Sequence, residues 1–337
     1  MHLLMLGGTR FVGRAVVSDA LRRGWPVTAL HRGLTGKLPA GVEWLNVDRT
    51  DSDAFASALG SRHWDAVVDT WSGAPRVATA NAAILAGRVD RCAYISSMSV
   101  YTSLAHVDES SQVVEGDSKA DGTVDYAALK RGAELGVLAS FPDAILARAG
   151  LILGPHESVG RLPWWLTRIA AGGHVVAPGR PERPLQYVDA RDLATWTLSA
   201  LQDGVTGPVD IACRPGHATT AGLLDACARA TGSRAELVWF DDDEIAAAGA
   251  EPWTHLPCWV PETGETGGFL EVDTARAHAT GLRCRPVEDT VADTWEWIKA
   301  EGAPTPLPDR PRHGLPVEIE ERLLARVRDQ RSTSPIR

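Results

Sequence analysis

Along the first 155 residues, short apolar stretches alternate with longer segments whose apolar residues recur every three or four positions. "HLLML" (2–6), "PVTALH" (26–31), "VEWLNV" (42–47), "DAVVDT" (65–70), "CAYIS" (92–96) and "AILARAGLIL" (144–153) are short and rich in β-formers, and read as strands. Segments such as "VGRAVVSDALRRG" and "RVATANAAILAG" carry the helical spacing between them. Strands that are apolar on both faces and alternate with helices predict an α/β fold, a doubly wound parallel sheet with helices on each side. Such a sheet takes its ligands beyond the carboxyl ends of its strands.

After Pro155 the pattern becomes irregular. A tryptophan-bearing helix is expected at 162–171, then "YVDARDLATWTLSALQ" (187–202), a strand "PVDIAC" (208–213) and a helix "AGLLDACARATG" (221–232). "AELVWF" (235–240) and the helix "VEDTVADTWEWIKAE" (287–301) follow. We expect residues 1–155 to form one domain, with 187–213 returning to it. Residues 156–186 and 214–303 would form a smaller interleaved α+β substrate-binding region. Residues 304–337 would be a proline-rich strap and a C-terminal amphipathic helix, with Ile319, Leu323, Leu324 and Val327 on one stripe.

Composition narrows the function classes. The chain has 337 residues, 44% hydrophobic and 23% charged, as expected of a soluble globular protein. Its net charge of −9 argues against general nucleic-acid binding, which needs a basic surface. Cys92, Cys213, Cys227, Cys258 and Cys284 are odd in number and widely spaced, so they read as reduced thiols without a disulfide framework or zinc site. No apolar run suits a membrane span, and the N-terminus lacks the pattern of a signal peptide. A cytoplasmic location is expected, with no metal, no nucleic acid and no membrane as partner. A homodimer is left open.

The chemistry begins at "LLMLGGTRFVGRAVV" (3–17). Gly7 and Gly8 follow the first strand, and Gly13 falls where a helix must pack closely on it. This is the turn of a Rossmann-type dinucleotide site, with the helix N-terminus facing the pyrophosphate. Gly7, Gly8, Thr9, Arg10, Phe11, Val12 and Gly13 are therefore candidate cofactor residues. A plain βα turn is the competing reading. The second strand ends in His31-Arg32, with no acid before Glu43. NAD enzymes place an acid there and NADP enzymes an arginine, so Arg32, helped by Arg10, predicts NADP(H) over NAD(H). Solvated arginines would look the same in sequence. Asp48 suits the adenine amino group. In "YAALK", Tyr126 and Lys130 lie four apart, on one helical face, where an ammonium favours the phenolate and makes Tyr126 a usable acid/base. The serines of "YISSMSVY" (94–101) stand at a strand's carboxyl edge, where one could hold a carbonyl oxygen.

These segments, with "LARAGLILGPH" and "RPLQYVDARDLA", resemble the extended short-chain dehydrogenase/reductase superfamily, the NAD-dependent epimerase/dehydratase-like group. The resemblance implies catalytic roles for Ser97, Tyr126 and Lys130, the lysine also holding the nicotinamide ribose. It further implies cofactor contacts at His31, Arg49, Thr70, Trp71 and Ser96. Gly154-Pro155 and "YVDARDLA" match the stretch that returns the chain to the cofactor domain. Three departures stand out. Arg10 replaces the usual middle glycine, a variant that also resembles a branch with chloroplast RNA-associated members. Ala149-Gly150 stand where nucleotide-sugar epimerases carry an asparagine. Met98-Ser99 follow Ser97 where sugar dehydratases have an Asp-Glu pair.

Tryptophans usually pack in cores. The clusters "HESVGRLPWW" and "EPWTHLPCW" nonetheless fall where the family builds its substrate pocket, and point to an aromatic or bulky substrate. Ser97, Ser99, His156, Arg161, Trp164, Trp165, Gln186, Trp253 and Trp259 are the expected substrate residues. The run Asp241 to Glu244 reads as a helix cap rather than a cation site. The combined expectation is an NADP(H)-dependent ketoreductase or alcohol dehydrogenase acting on a small-molecule metabolite. An epimerase with tightly bound NAD, working through a keto intermediate, is the first alternative. A non-catalytic dinucleotide-binding regulatory or RNA-associated protein is the second.

Overall fold

Seven strands form one parallel sheet in the order β10-β6-β5-β4-β1-β2-β3. The computed structural model describes every residue except 35, 104, 106, 263–270, 305–311 and 334–337, together with the side chains of 326–333. The strands are β1 (Leu3–Leu6), β2 (Val27–His31), β3 (Val42–Asn46), β4 (Trp64–Asp69), β5 (Val89–Ser97), β6 (Ile145–Ala149) and, after three further strands described below, β10 (Gly207–Ile211). The order reverses between β1 and β4, so the ligand crevice of this sheet lies beyond their carboxyl ends. In β1 all four residues are buried. Leu3 and Met5 enter one core layer, Leu4 and Leu6 the other, as the two-residue period of a strand requires.

Helices α1 (Phe11–Arg22), α2 (Ser52–Leu59), α3 (Pro75–Leu85), α4 (Tyr126–Ser140) and α6 (Ala190–Asp203) cover this sheet, with α1 packed on α6 and α3 on α4. Aspartates start three of them: Asp51, Asp125 and Asp189 accept first-turn N–H groups of α2, α4 and α6. A short 3-10 turn (Met98–Val100) follows β5.

The chain divides into two compact units. Residues 1–152, 187–214 and 272–284 form the first, and 153–186, 215–271 and 285–337 the second. The expected return at 187–213 is part of the first unit. The expected placement of 272–284 in the substrate region is corrected: helix α9 (Ala275–Ala279) packs on β10, and Ala277 and Leu282 join the first unit's core. The expected single strand at 144–153 is also corrected. It breaks at Gly150 into β6 and β7 (Leu151–Leu153), and β7 pairs with β9 (Tyr187–Asp189).

The second unit holds α5 (Arg161–Ala170), α7 (Thr220–Thr231) and α10 (Val287–Glu301) packed together. A two-stranded parallel sheet pairs β8 (His174–Pro178), which the sequence pattern did not mark, with β11 (Glu236–Phe240). Asp241 caps α8 (Asp242–Ala247) in a capping box with Glu244, so the acidic run is a helix start. In α11 (Val317–Thr333), Leu323 is buried and Ile319 and Leu324 partly so, whereas the side chain of Val327 lies outside the description, as does most of the expected strap.

Candidate active site

The turn between β1 and α1 has the geometry its glycines suggest. Gly7 and Gly8 adopt φ of 116° and 107°, which side chains rarely tolerate. A Cβ on Gly13 would come within 2.8 Å of the Gly8 nitrogen, so a glycine is what lets α1 sit this close to the strand. Arg10 precedes α1 in extended conformation and its side chain caps nothing. The Arg10 side chain thus leaves the first-turn N–H groups of α1 uncapped, and such a terminus suits an anion. Phe11 takes a strained φ of 33°, a local distortion typical of ligand-contacting turns. Thr9 and the side chain of Val12 are buried, which leaves Val12 only its main chain to offer a ligand. The Gly7–Gly13 cradle and the polar N-terminus of α1 fit a dinucleotide pyrophosphate.

At the end of β2 the His31 ring stacks on Trp44, 5.1 Å between centroids. Its Nδ1 accepts from the Gly33 N–H at 3.0 Å. Nε2 is buried with no hydrogen-bond partner among the described residues, and burial pulls the imidazole pKa below its ordinary value. Arg32 lies 3.6 Å from the Asp48 carboxylate, both largely exposed. The Thr50 main-chain N–H, helped by Arg32, holds the Asp48 carboxyl below the usual carboxylate range. Arg32 and Asp48 therefore meet where the sequence placed the adenosine end. Arg49 is buried; its guanidinium makes two 2.6 Å bonds to Asp69 and a third to Asn81, so its side chain braces β4.

At the end of β4 the Thr70 hydroxyl donates to the Leu6 carbonyl at 3.3 Å, tying β4 to β1 beside the glycine turn. Trp71 follows, its indole N–H bonded to the Ala74 carbonyl and its own carbonyl receiving Lys130 Nζ at 2.8 Å. At the end of β5, Ser97 is the residue before the 3-10 turn. Its Oγ accepts the Ser99 N–H at 3.1 Å and lies 3.1 Å from the Ser99 hydroxyl. The Ser96 hydroxyl points inward and donates to Glu134 at 2.7 Å, anchoring α4.

Tyr126 opens α4 and is 42% exposed, whereas Lys130, one turn on, is 4% exposed. The cap at Asp125 sets where α4 starts and so where the phenol stands. Lys130 Nζ donates to the Trp71 and Ile95 carbonyls at 2.8 and 2.7 Å and to the Tyr94 hydroxyl at 3.2 Å. A helix and two strand ends thus bring Ser97, Tyr126 and Lys130 into one unit, on the sheet edge that carries the glycine turn.

Behind this edge runs a buried polar chain that sequence reasoning missed. Ser96 and the Arg148 guanidinium bond Glu134, Arg148 also donates to the Tyr101 hydroxyl at 3.0 Å, and Tyr101 donates to Asp210 at 2.8 Å. Burial pushes the Asp210 carboxyl up to about 7, and the phenol donor beside it opposes the rise. Its signal was available: Arg148 and Asp210 are charges inside strands that are otherwise apolar, and buried charges demand partners.

In the second unit the structure separates the expected substrate residues. Trp165 and Trp259 are buried, their indole N–H groups bonded to the Pro257 carbonyl and to Asp242. Trp164 meets Trp165 edge-on at 4.6 Å. Arg161 donates to the buried Glu157 at 2.9 Å and lies 5.7 Å over the Trp253 ring. His156 and Trp253 have left-handed φ of 65° and 64°, and the His156 ring rests on Trp297. Gln186 is buried. Among the described residues no group of three metal-ligating side chains occurs, and no helix is long and apolar enough to cross a membrane.

The fold and this sheet edge define an extended short-chain dehydrogenase/reductase. The chain belongs to the NAD dependent epimerase/dehydratase family, whose pattern matches residues 3–212, more than half its length. It is 25% identical over 304 residues to the chloroplast stem-loop binding protein of 41 kDa b of Arabidopsis thaliana, covering 80% of this chain and 77% of that one. Among solved structures it is similar to the Bordetella bronchiseptica enzyme WbmG in complex with NAD, at 17% identity and TM-score 0.67, covering 90% and 96% of the two chains. The Thermus thermophilus UDP-glucose 4-epimerase complex with NAD gives 20% identity and TM-score 0.61, covering 89% of this chain and all of that one. At these identities the structural likeness concerns the fold.

Proposed function

We propose that the protein is a nicotinamide-dinucleotide-dependent epimerase that acts on a hydroxyl-bearing substrate carbon through a transient ketone. This was the alternative to the ketoreductase expected from sequence, and the family match and the epimerases among similar structures favour it. The observation that carries it is the gathering of Ser97, Tyr126 and Lys130 on the sheet edge that bears the Gly7–Gly13 cradle. A bound nicotinamide dinucleotide supplies a reversible two-electron acceptor. The cradle residues and the first turn of α1 hold its pyrophosphate, and Lys130 its ribose. Tyr126 takes the proton from the substrate hydroxyl as the carbon becomes a carbonyl, and returns it to the same oxygen when that carbon is reduced on its opposite face. Ser97 hydrogen-bonds the same oxygen throughout.

The substrate class is narrowed by the register. Ala149, the last residue of β6, stands opposite Ser97 across the β5–β6 ladder, so a methyl occupies the position where nucleotide-sugar epimerases commonly carry an amide. We infer a substrate other than a standard nucleotide sugar. For the cofactor, Arg10 and Arg32 support NADP(H): a 2′-phosphate dianion competes well against the single exposed carboxylate of Asp48. The stem-loop relative raises RNA as a partner, but a net charge of −9 opposes it, and we propose none.

The test is the nucleotide released from the purified, denatured protein, followed by assays against hydroxylated and carbonyl substrates. Interconversion of epimers with no net change in dinucleotide absorbance is the expected result. Stoichiometric NADPH consumption on carbonyl compounds would return the ketoreductase reading.

A further inference from the structure

Strand β5 sets one more side chain against Lys130, outside the residues that the motifs single out. Tyr94 is 0% exposed. Its hydroxyl donates to the Trp71 carbonyl at 2.8 Å and accepts from Lys130 Nζ at 3.2 Å. Lys130 reaches the same Trp71 carbonyl at 2.8 Å and the Ile95 carbonyl at 2.7 Å, and its Nζ lies 4.7 Å from the centroid of the Tyr94 ring. A buried ammonium proton without an acceptor is costly. The Trp71 and Ile95 acceptors are main-chain carbonyls, whereas Tyr94 is a side chain that also offers its ring face to the cation.

The surroundings keep this phenol in one role. Burial, reinforced by the Asp69 carboxylate, pushes the Tyr94 pKa well above its ordinary value, so it stays a neutral hydroxyl. Because its proton goes to Trp71, its lone pairs face Lys130. The Trp71 carbonyl is itself held in place: the Trp71 N–H donates to Asp69 at 2.8 Å, and Asp69 is clamped by Arg49. The frame around the ammonium therefore extends from the end of β4 to the middle of β5.

We propose that Tyr94 is a positioning residue for Lys130, fixing where the ammonium sits and strengthening its hold on its proton. The proposal rests on the reading of Lys130 as the working cation of the site, and its test is kept separate from that reading. The chain has four lysines, Lys37, Lys119, Lys130 and Lys299, so the side-chain nitrogens of ¹⁵N-lysine-labelled full-length protein can be followed one by one, with Lys130→Arg giving the assignment.

Tyr94→Phe keeps the ring and removes the acceptor oxygen. The Lys130 signal should shift and its titration midpoint should fall by about one unit, a roughly tenfold weaker hold on the proton, while the other three lysines stay put. Tyr94→Leu, which loses the ring as well, should move it further. Affinity for NADPH or NADH should weaken severalfold in Tyr94→Phe. Should that variant not fold, 3-fluorotyrosine placed at 94 alone keeps the shape and weakens the acceptor, and the same Lys130 shift is expected. An unmoved Lys130 signal in the folded proteins overturns the proposal. Undiminished dinucleotide affinity in Lys130→Ala overturns the functional reading instead, and the lysine signal still decides the role of Tyr94.

Discussion

Tyr126 and Lys130 illustrate how one helical turn serves two needs. The phenol is 42% exposed, where a substrate can reach it, and the ammonium is 4% exposed, where water screens it little. Tyr126→Phe should abolish turnover, with NADPH affinity changed less than twofold, since the ring still packs. Ser97→Ala should lose about 2.7–4 kcal/mol of transition-state stabilisation, read as kcat/KM. Near-native turnover in Tyr126→Phe would remove the phenol from the chemistry. Arg32→Ala should weaken NADPH binding by about 1.5–3 kcal/mol and leave NADH nearly unchanged, measured by fluorescence titration. Equal loss for both cofactors would show that Arg32 does not read the 2′-phosphate. Spacing alone made this pair legible in the chain. Tyr94 was not legible, because a tyrosine in a buried strand looks like any core aromatic until Lys130 is seen beside it.

At the scale of elements, α4 carries both residues, so its seat on α3 controls the site. A Cβ on Gly136 would run into the Thr79 hydroxyl and come within 3.1 Å of the Thr79 Cα. Gly136→Ala should therefore lift α4 off α3, destabilise the protein by about 1–3 kcal/mol and reduce turnover, read by urea unfolding and steady-state rate. Native stability in this variant would show that the helices can part without cost. Strands β1, β2 and β4 and helix α10 were legible because their apolar periods are clean. The break at Gly150 was not, since β6 and β7 run as one apolar stretch whose division depends on a pairing with β9, far along the chain. β8 was missed for a related reason: its strand partner among the described residues, β11, lies some sixty residues later, and a pair so remote leaves no local mark.

On the scale of the whole chain, buried charge shapes stability. Asp210 faces the Tyr101 hydroxyl, with Arg148 behind it and the carboxylates of Glu109 and Asp108 nearby. Its folded pKa is raised to about 7, above its unfolded value near 4, so the folded state binds a proton that the unfolded state releases. Its contribution is fully present below about pH 4 and is lost as pH rises through about 7. Asp210→Asn imitates the protonated acid. Relative to the native protein it should gain on the order of 2 kcal/mol between pH 5 and pH 8, seen as a diverging urea midpoint. A constant difference across that range would mean that Asp210 titrates normally.

The sequence by itself determined the alternating sheet and helices, the glycine turn, the serine at a strand end and the Tyr126–Lys130 spacing. Each of these depends on residues within one turn or one strand, where period and backbone freedom act directly. The tertiary structure alone decided what those residues meet. It turned Ser96 and Arg49 inward, packed Trp165 and Trp259 into the second unit and returned 272–284 to the first. It also joined Glu134, Arg148, Tyr101 and Asp210 into one chain. The reason is physical: a buried polar group must find its partner in space, and that partner stands at a sequence distance no local pattern encodes.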